Sequence, residues 1–229
     1  MKGIVYYTDN RLGEPIQSAV QRELLRAGLP ITSVTLKPTN FGDNIVLDLE
    51  PNIVTMYKQI LTGLEASKAE IVFLCEHDVL YHKTHFDFIP SKDIFYYNTN
   101  VWWWEYPKDK FVGFDYIKSQ SGLCAYRDLL LRHYTKRLKL IEDNGWDKQL
   151  SREPKWARRM GYEPATKSER QEIVSKEGFM IWQSDFPNID VRHNKTLTPR
   201  KTTLKEFKHA PNNWRETTMD KISGWNLKL

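Results

Sequence analysis

Apolar positions in the first third of the chain switch between two spacings. Residues 4–7 form a short continuous apolar run, which predicts a buried strand. Glu14-Pro15 then opens a helix, with proline in a first turn that tolerates it. Ile16, Val20, Leu24 and Ala27 make its apolar face, and Gly28 ends it. Residues 31–36 predict a second strand. Pro51 opens a second helix with Ile53, Tyr57, Ile60, Leu61 and Leu64 on one face. Residues 71–75, Ile-Val-Phe-Leu-Cys, predict a third strand, buried on both sides. This β-α-β-α-β order predicts a parallel sheet with helices packed on its faces.

The middle of the chain leaves that alternation. Residues 94–97, 101–104 and 111–114 read as short strands, punctuated at Asn98-Thr99-Asn100 and Pro107-Lys108-Asp109. A long helix is expected over 123–142, with Tyr126, Leu130, Tyr134, Leu138 and Ile141 at helical spacing and a stop at Asn144-Gly145. A short helix is expected over 153–160, and strands over 179–182 and 189–191. From Thr196 the periodicity fades into an extended, basic tail. No internal repeat, Gly/Ser linker or low-complexity tract breaks the chain. The expected organisation is therefore one α/β domain over 1–195, with an extension over 196–229 packed on it.

Composition narrows the class. The chain has 229 residues, 40% hydrophobic and 28% charged, as in a soluble globular protein. Cys75 and Cys124 are too few for a disulfide framework or a thiolate zinc site. Met1 leads straight into a strand pattern without a signal-peptide apolar region, and no run is long enough to span a membrane. These features predict a cytoplasmic location. The net charge of +5 allows an anionic partner without choosing one. Basic residues concentrate at Arg152, Lys155, Arg158 and Arg159, and again at Lys195, Arg200, Lys201, Lys205 and Lys208.

Candidate chemistry centres on Glu76-His77-Asp78, which follows the third predicted strand. Acidic groups there must stay wet or bind something. An acid-x-acid pair offers hard oxygen ligands to Mn²⁺ or Mg²⁺. Thr8-Asp9-Asn10 follows the first strand, and parallel neighbours would turn both clusters into one crevice. Asp190-Val191-Arg192-His193 follows a late strand, and an imidazole can complete an oxygen-rich site; His82 and His85 compete for that role. Trp102-Trp103-Trp104 sends its middle ring to the opposite face from its neighbours. Core packing is the expectation for Trp103, while Trp102 and Trp104 are open between core and a flat wall for a sugar or base. Ser119-Gln120-Ser121-Gly122 precedes the long helix and reads as a cap or a polar ligand site. The helical zinc-protease motif, the nucleophile elbow, the phosphate loop and the dinucleotide fingerprint are all absent from the sequence.

In this order the motifs resemble glycosyltransferases of the GT-A fold, a Rossmann-like mixed sheet flanked by helices. More closely, the chain is similar to a small group of bacterial and phage GT-A-like proteins. The similarity rests on residues 76–82, 97–102, 122–127, 162–164 and 187–193. Lys83 and Ala165 depart from the Pro and Gly of that pattern. The resemblance implies transfer of a sugar from a nucleotide-diphosphate donor to a hydroxyl. It implies that Asp78 binds a divalent ion, that Glu76 reaches the ion through water or touches the donor ribose, and that His193 is a further ligand. Thr8, Asp9 and Asn10 would line the nucleoside pocket. An inverting enzyme also needs a carboxylate base, for which Glu163, Glu177 and Asp185 are candidates. Two acceptors fit: a hydroxymethylated pyrimidine in phage DNA, or a surface polysaccharide or lipid-linked glycan. The competing classes are a nucleotidyltransferase, for which residues 8–13 make a poor phosphate loop, and a non-catalytic nucleic-acid-binding protein, which leaves the acidic cluster unexplained.

Overall fold

The computed structural model describes residues 1–115, 117–145, 178–194 and 201–227. In chain order the elements are β1 (Lys2–Thr8), α1 (Ile16–Arg26), β2 (Ile31–Thr35), β3 (Asp43–Val46), α2 (Ile53–Ala66), β4 (Ile71–Glu76) and β5 (Val79–Leu80). Then follow β6 (Ile94–Asn98), β7 (Val101–Trp104), β8 (Phe111–Gly113), β9 (Leu123–Tyr126), α3 (Arg127–Asn144), β10 (Gly178–Trp182), β11 (Asn188–Val191) and β12 (Arg215–Thr217). The helix expected over 153–160 lies outside the described residues, as do Glu163, Glu177, Arg152, Lys155, Arg158, Arg159, Lys195 and Arg200.

Seven strands form the larger sheet, in the order β10-β6-β9-β4-β1-β2-β3. The expected β-α-β-α-β region is its parallel half, with β1 pairing β2 on one side and β4 on the other. β9 runs antiparallel between β4 and β6, so the sheet is mixed. A second sheet has the order β12-β8-β7-β11-β5. The described tail thus contributes a strand, β12, which pairs antiparallel with β8.

One boundary differs from the helical spacing. Residues 123–126 are a strand, and the helix starts only at Arg127. Leu123, Cys124 and Ala125 are fully buried on both faces, so pairing on each side satisfies their backbone. Tyr126 happens to continue the spacing of α3, which disguises the boundary.

Alternation along β1 and β4 divides the core. Ile4, Tyr6, Phe73 and Cys75 face α1 and the second sheet. Val5, Tyr7, Val72 and Leu74 face α2 and α3. α2 is capped by Asn52, whose Oδ1 accepts the Thr55 N–H at 2.9 Å. It approaches β1 so closely that a Cβ on Gly63 would stand 2.5 Å from Val5 Cγ1, which explains the glycine inside a helix. α3 is held to α2 by buried Arg137, which donates from Nη2 to Tyr57 Oη at 2.9 Å. Cys75 and Cys124 are both buried and unbridged, as small core residues. Trp104 is buried and Trp102 packs partly buried against the α1-side core. Trp103 faces the other way, where its ring meets Phe114 edge-on at 4.9 Å and lies parallel to Phe207 of the tail.

Candidate metal and nucleotide site

β1, β2, β3, β4, β6 and β10 all point the same way, so one edge of the large sheet collects their carboxyl ends. That edge is where open α/β sheets bind ligands. Tyr7 lies beside Glu76 in the β1–β4 register, so Thr8-Asp9-Asn10 and Glu76-His77-Asp78 leave the sheet side by side. Gln59 ties the ends together by donating from Nε2 to the carbonyls of Thr8 and Val34, at 2.7 and 3.0 Å.

The chain turns at His77-Asp78 and passes from the large sheet into β5 of the small one. β5 pairs with β11, and the Val191 N–H donates to the Asp78 carbonyl at 2.8 Å. That bond closes the long sequence gap between Asp78 and His193. His193 Nε2 stands 3.5 Å from Asp78 Oδ2. His77, Asp78 and His193 each present a ligand atom, and these atoms lie within 4.8 Å of one another. Two imidazoles and one carboxylate suit Mn²⁺ and neighbouring transition ions better than Mg²⁺, which prefers an all-oxygen shell.

Glu76 is turned differently. Its Oε1 accepts from Tyr7 Oη at 2.7 Å, and its backbone N–H donates to Tyr81 Oη at 2.9 Å. It is not one of the three converging ligand residues; His77, between the two acids, is. Asp190 adjoins the cluster and pairs with Arg192, Nη1 to the two carboxylate oxygens at 3.3 and 3.2 Å. The Arg192 guanidinium lies 4.7 Å from the centre of the Trp103 ring.

Three carboxylates so close cannot all ionise freely. Burial, then the charge of Asp78, pushes Glu76 up to about 8. Burial also raises Asp190, to about 6, against the pull of Arg192 and with the push of Asp78. For Asp78, burial works upward too, but the hydrogen bond from His193 and the charges of His77, His193 and Arg192 outweigh it and hold its carboxyl below the usual value. Asp78 is therefore the carboxylate of the three that its neighbours favour in the ionised form.

The other candidates separate. Thr8 is buried, and its Oγ1 accepts the Asn10 N–H at 2.9 Å. Asp9 pairs with Arg11 at 2.6 Å. Asn10 takes a left-handed φ of 58° and its Oδ1 accepts the N–H groups of Leu36 and Lys37, at 2.7 and 2.9 Å. That carbonyl is thus spent on joining the loops after β1 and β2. Asp185 is exposed, on the turn between β10 and β11, and is not one of the three converging residues. His82 caps the turn at Lys83–Asp87 and packs against Phe186 and Trp225. His85 is a core residue whose Nδ1 accepts from Asn98 and Asn188, so neither histidine competes with His193. A groove of about 660 Å³ lined by Arg22, Arg26, His82, Lys83 and Trp225, among others, lies apart from this cluster. None of the three converging ligands lines it, so the geometry of the ligands, rather than cavity size, locates the candidate centre.

No protein-family model matches the chain, and no curated protein matches it. Solved structures do. A glycosyltransferase involved in glycosylation of the major capsid protein of PBCV-1 aligns with 10% identity and a TM-score of 0.48, over 86% of this chain and 95% of that one. A nucleotidyl transferase from Methanothermobacter thermautotroptrophicus aligns with 14% identity and a TM-score of 0.42, over 63% and 83%. The glycosyltransferase GlyE of Streptococcus pneumoniae TIGR4 aligns with 11% identity and a TM-score of 0.39, over 64% and 40%. Likenesses of this size assign neither family nor activity. No helix among the described residues is long and apolar enough to cross a membrane.

Proposed function

We propose that the protein is a metal-dependent glycosyltransferase with a GT-A-like fold. It would move a sugar from a nucleotide-diphosphate donor to an acceptor hydroxyl. The observation that carries this reading is the convergence of His77, Asp78 and His193 at the carboxyl edge of the parallel strands, beside the Thr8–Asn10 loop. A divalent ion held there supplies charge neutralisation to the leaving diphosphate. The bond from the anomeric carbon to the diphosphate oxygen breaks, a bond to the acceptor oxygen forms, and the acceptor proton passes to a base. Glu163 and Asp185 keep that role as proposals from sequence. Thr8, Asp9 and Glu76 are proposed contacts of the nucleoside and ribose.

Incubation with a panel of nucleotide-sugars and Mn²⁺, read as release of nucleoside diphosphate, tests the reading. Release is expected with at least one donor. His193→Ala should weaken Mn²⁺-dependent donor binding by about tenfold or more while the unliganded melting temperature changes little. Pyrophosphate release from nucleoside triphosphates, with no turnover of nucleotide-sugars, would assign a nucleotidyltransferase instead.

DNA is the acceptor we favour, with a hydroxymethylated pyrimidine as its reactive base. Two cations of the described tail lie over aromatic rings: Lys201 over Phe207 of the tail itself, and Arg215 over Trp102 of β7. Such pairing suits bases and phosphates. Each phosphate neutralised contributes about −0.9 to the slope of log K against log salt. Replacing Lys201, Lys205 and Lys208 with Ala should flatten that slope in an anisotropy titration and leave donor hydrolysis intact. If a donor-hydrolysing protein binds no DNA at low salt, the acceptor is a polysaccharide or lipid-linked glycan.

A further inference from the structure

Gln120 is the one buried side-chain amide among the described residues with both its oxygen and its nitrogen unpartnered. It is only 4% exposed. Buried polar groups are nearly always satisfied, so an amide missing both partners marks a place where something else supplies them. Its position says where. β9 runs antiparallel to β4, with Cys124 beside Phe73, so the turn Gln120–Gly122 just before β9 is carried to the carboxyl end of β4. The turn packs against β4 and β6, and a Cβ on Gly122 would stand 3.1 Å from the Asn98 carbonyl at the end of β6. Gln120 therefore stands at the same sheet edge as Glu76, His77 and Asp78.

We infer that the Gln120 amide recognises the transferred sugar of the donor, through hydrogen bonds to its hydroxyl groups; this rests on the glycosyltransferase reading above. The chemistry of the group selects the ligand. An uncharged amide offers an acceptor oxygen and two N–H donors, and a hydroxyl is both donor and acceptor. A phosphate would need donors alone, and a cation acceptors alone. Hydroxyls are also the groups that a nucleotide-sugar has beyond those of its nucleoside diphosphate. A site built to bond hydroxyls discriminates strongly, because a ligand without them leaves the buried amide orphaned.

Gln120→Met keeps the length of the side chain and removes the amide. Calorimetry in Mn²⁺ would compare the wild type and the variant against UDP-, GDP- and dTDP-hexoses and the matching nucleoside diphosphates. The expected result is a loss of tenfold or more in affinity for the preferred nucleotide-sugar, with the nucleoside diphosphate bound within twofold of wild type. The unliganded variant should melt at or above the wild-type temperature, since an unpaired buried amide has been removed. Equal weakening of both ligands, no weakening of either, or a clear fall in melting temperature overturns the inference alone. If the folded wild type binds none of these ligands, the glycosyltransferase reading falls and the inference with it.

Discussion

Asp78→Asn should fold and should lose metal-dependent donor turnover by at least about 100-fold, more than the tenfold to 100-fold typical of partners behind a ligand. Asparagine keeps the shape and the carbonyl but not the charge. Asp78 is the carboxylate whose neighbours hold it ionised, while Glu76 and Asp190 are raised. The substitution thus removes the anion that the site is arranged to keep. It removes the charge that His193, His77 and Arg192 favour while relieving repulsion toward Asp190, two effects of opposite sign, so the metal-free variant should melt close to the wild type. Thermal denaturation with and without Mn²⁺ checks this independently of any substrate. An ion present at a hundred times its dissociation constant stabilises by about 2.7 kcal/mol. The wild type should show such a rise and the variant should not. An equal rise in both would remove Asp78 from the metal site.

His85 should contribute an acid-sensitive share of the core's stability. Its Nδ1 lies 3.0 Å from Asn98 Nδ2 and 3.1 Å from Asn188 Nδ2. The Asn98 amide is oriented by its own oxygen, which accepts the N–H groups of Asn100 and Ser184. Two N–H donors therefore point at one ring nitrogen, and a proton there would oppose both. Burial pushes His85 down to about 3 from the ordinary 6.5. Between those values the unfolded chain takes up a proton that the folded one refuses. Stability is therefore present above pH 6.5 and falls below it by about 1.4 kcal/mol per pH unit. From pH 7 to 5 the contribution lost is about 2 kcal/mol. Glu76 and Asp190, both raised, act with the opposite sign: the folded protein holds protons that the unfolded chain releases, so their contribution is lost as pH rises through about 8 and about 6. The difference between wild type and His85→Gln isolates the histidine, because glutamine keeps an acceptor near both asparagines. Urea melts at pH 7 and pH 5 should show the wild type losing about 2 kcal/mol more than the variant. Identical losses would mean that His85 titrates in the folded protein as it does unfolded.

The β1-α1-β2-α2-β4 half was legible because its apolar positions repeat at strand and helix periods without ambiguity. The pattern left the adjacency of β1 and β4 open; their register supplies it, and with it the crevice. β3 was not legible: Asp43–Val46 is a half-exposed edge strand without a run of apolar residues. β9 was hidden because a central buried strand is apolar on both faces, and its last residue continues the spacing of the helix behind it. Of the three residues that could together hold a metal ion, Asp78 and His193 were singled out by the sequence and His77 was not. Strand alternation sets residues 76 and 78 on one side, but β4 ends at Glu76 and the turn at His77-Asp78 cancels the alternation. Asp190 stood in a noticed motif, and its pairing with Arg192, two residues on, is local; its nearness to Asp78 depends on the β11–β5 ladder, which no local pattern announces. Gln120 carries no periodic signal; only burial without partners picks it out.

The short β5–β11 ladder has a consequence for how such a site varies among sequences. Asp78 and His193 sit at the ends of two strands that pair with each other, and everything between them is a detour that leaves the ladder and returns to it. The length of that detour does not set the distance between the two side chains. Lengthening a flexible loop costs only a fraction of a kcal/mol, about 0.6 per doubling. Insertions and deletions can therefore accumulate between the two ligands while their separation in space stays fixed. A search by spacing between the acidic motif and the histidine would lose such chains; a search for an apolar pair after the acids, able to ladder against the strand before the histidine, would keep them.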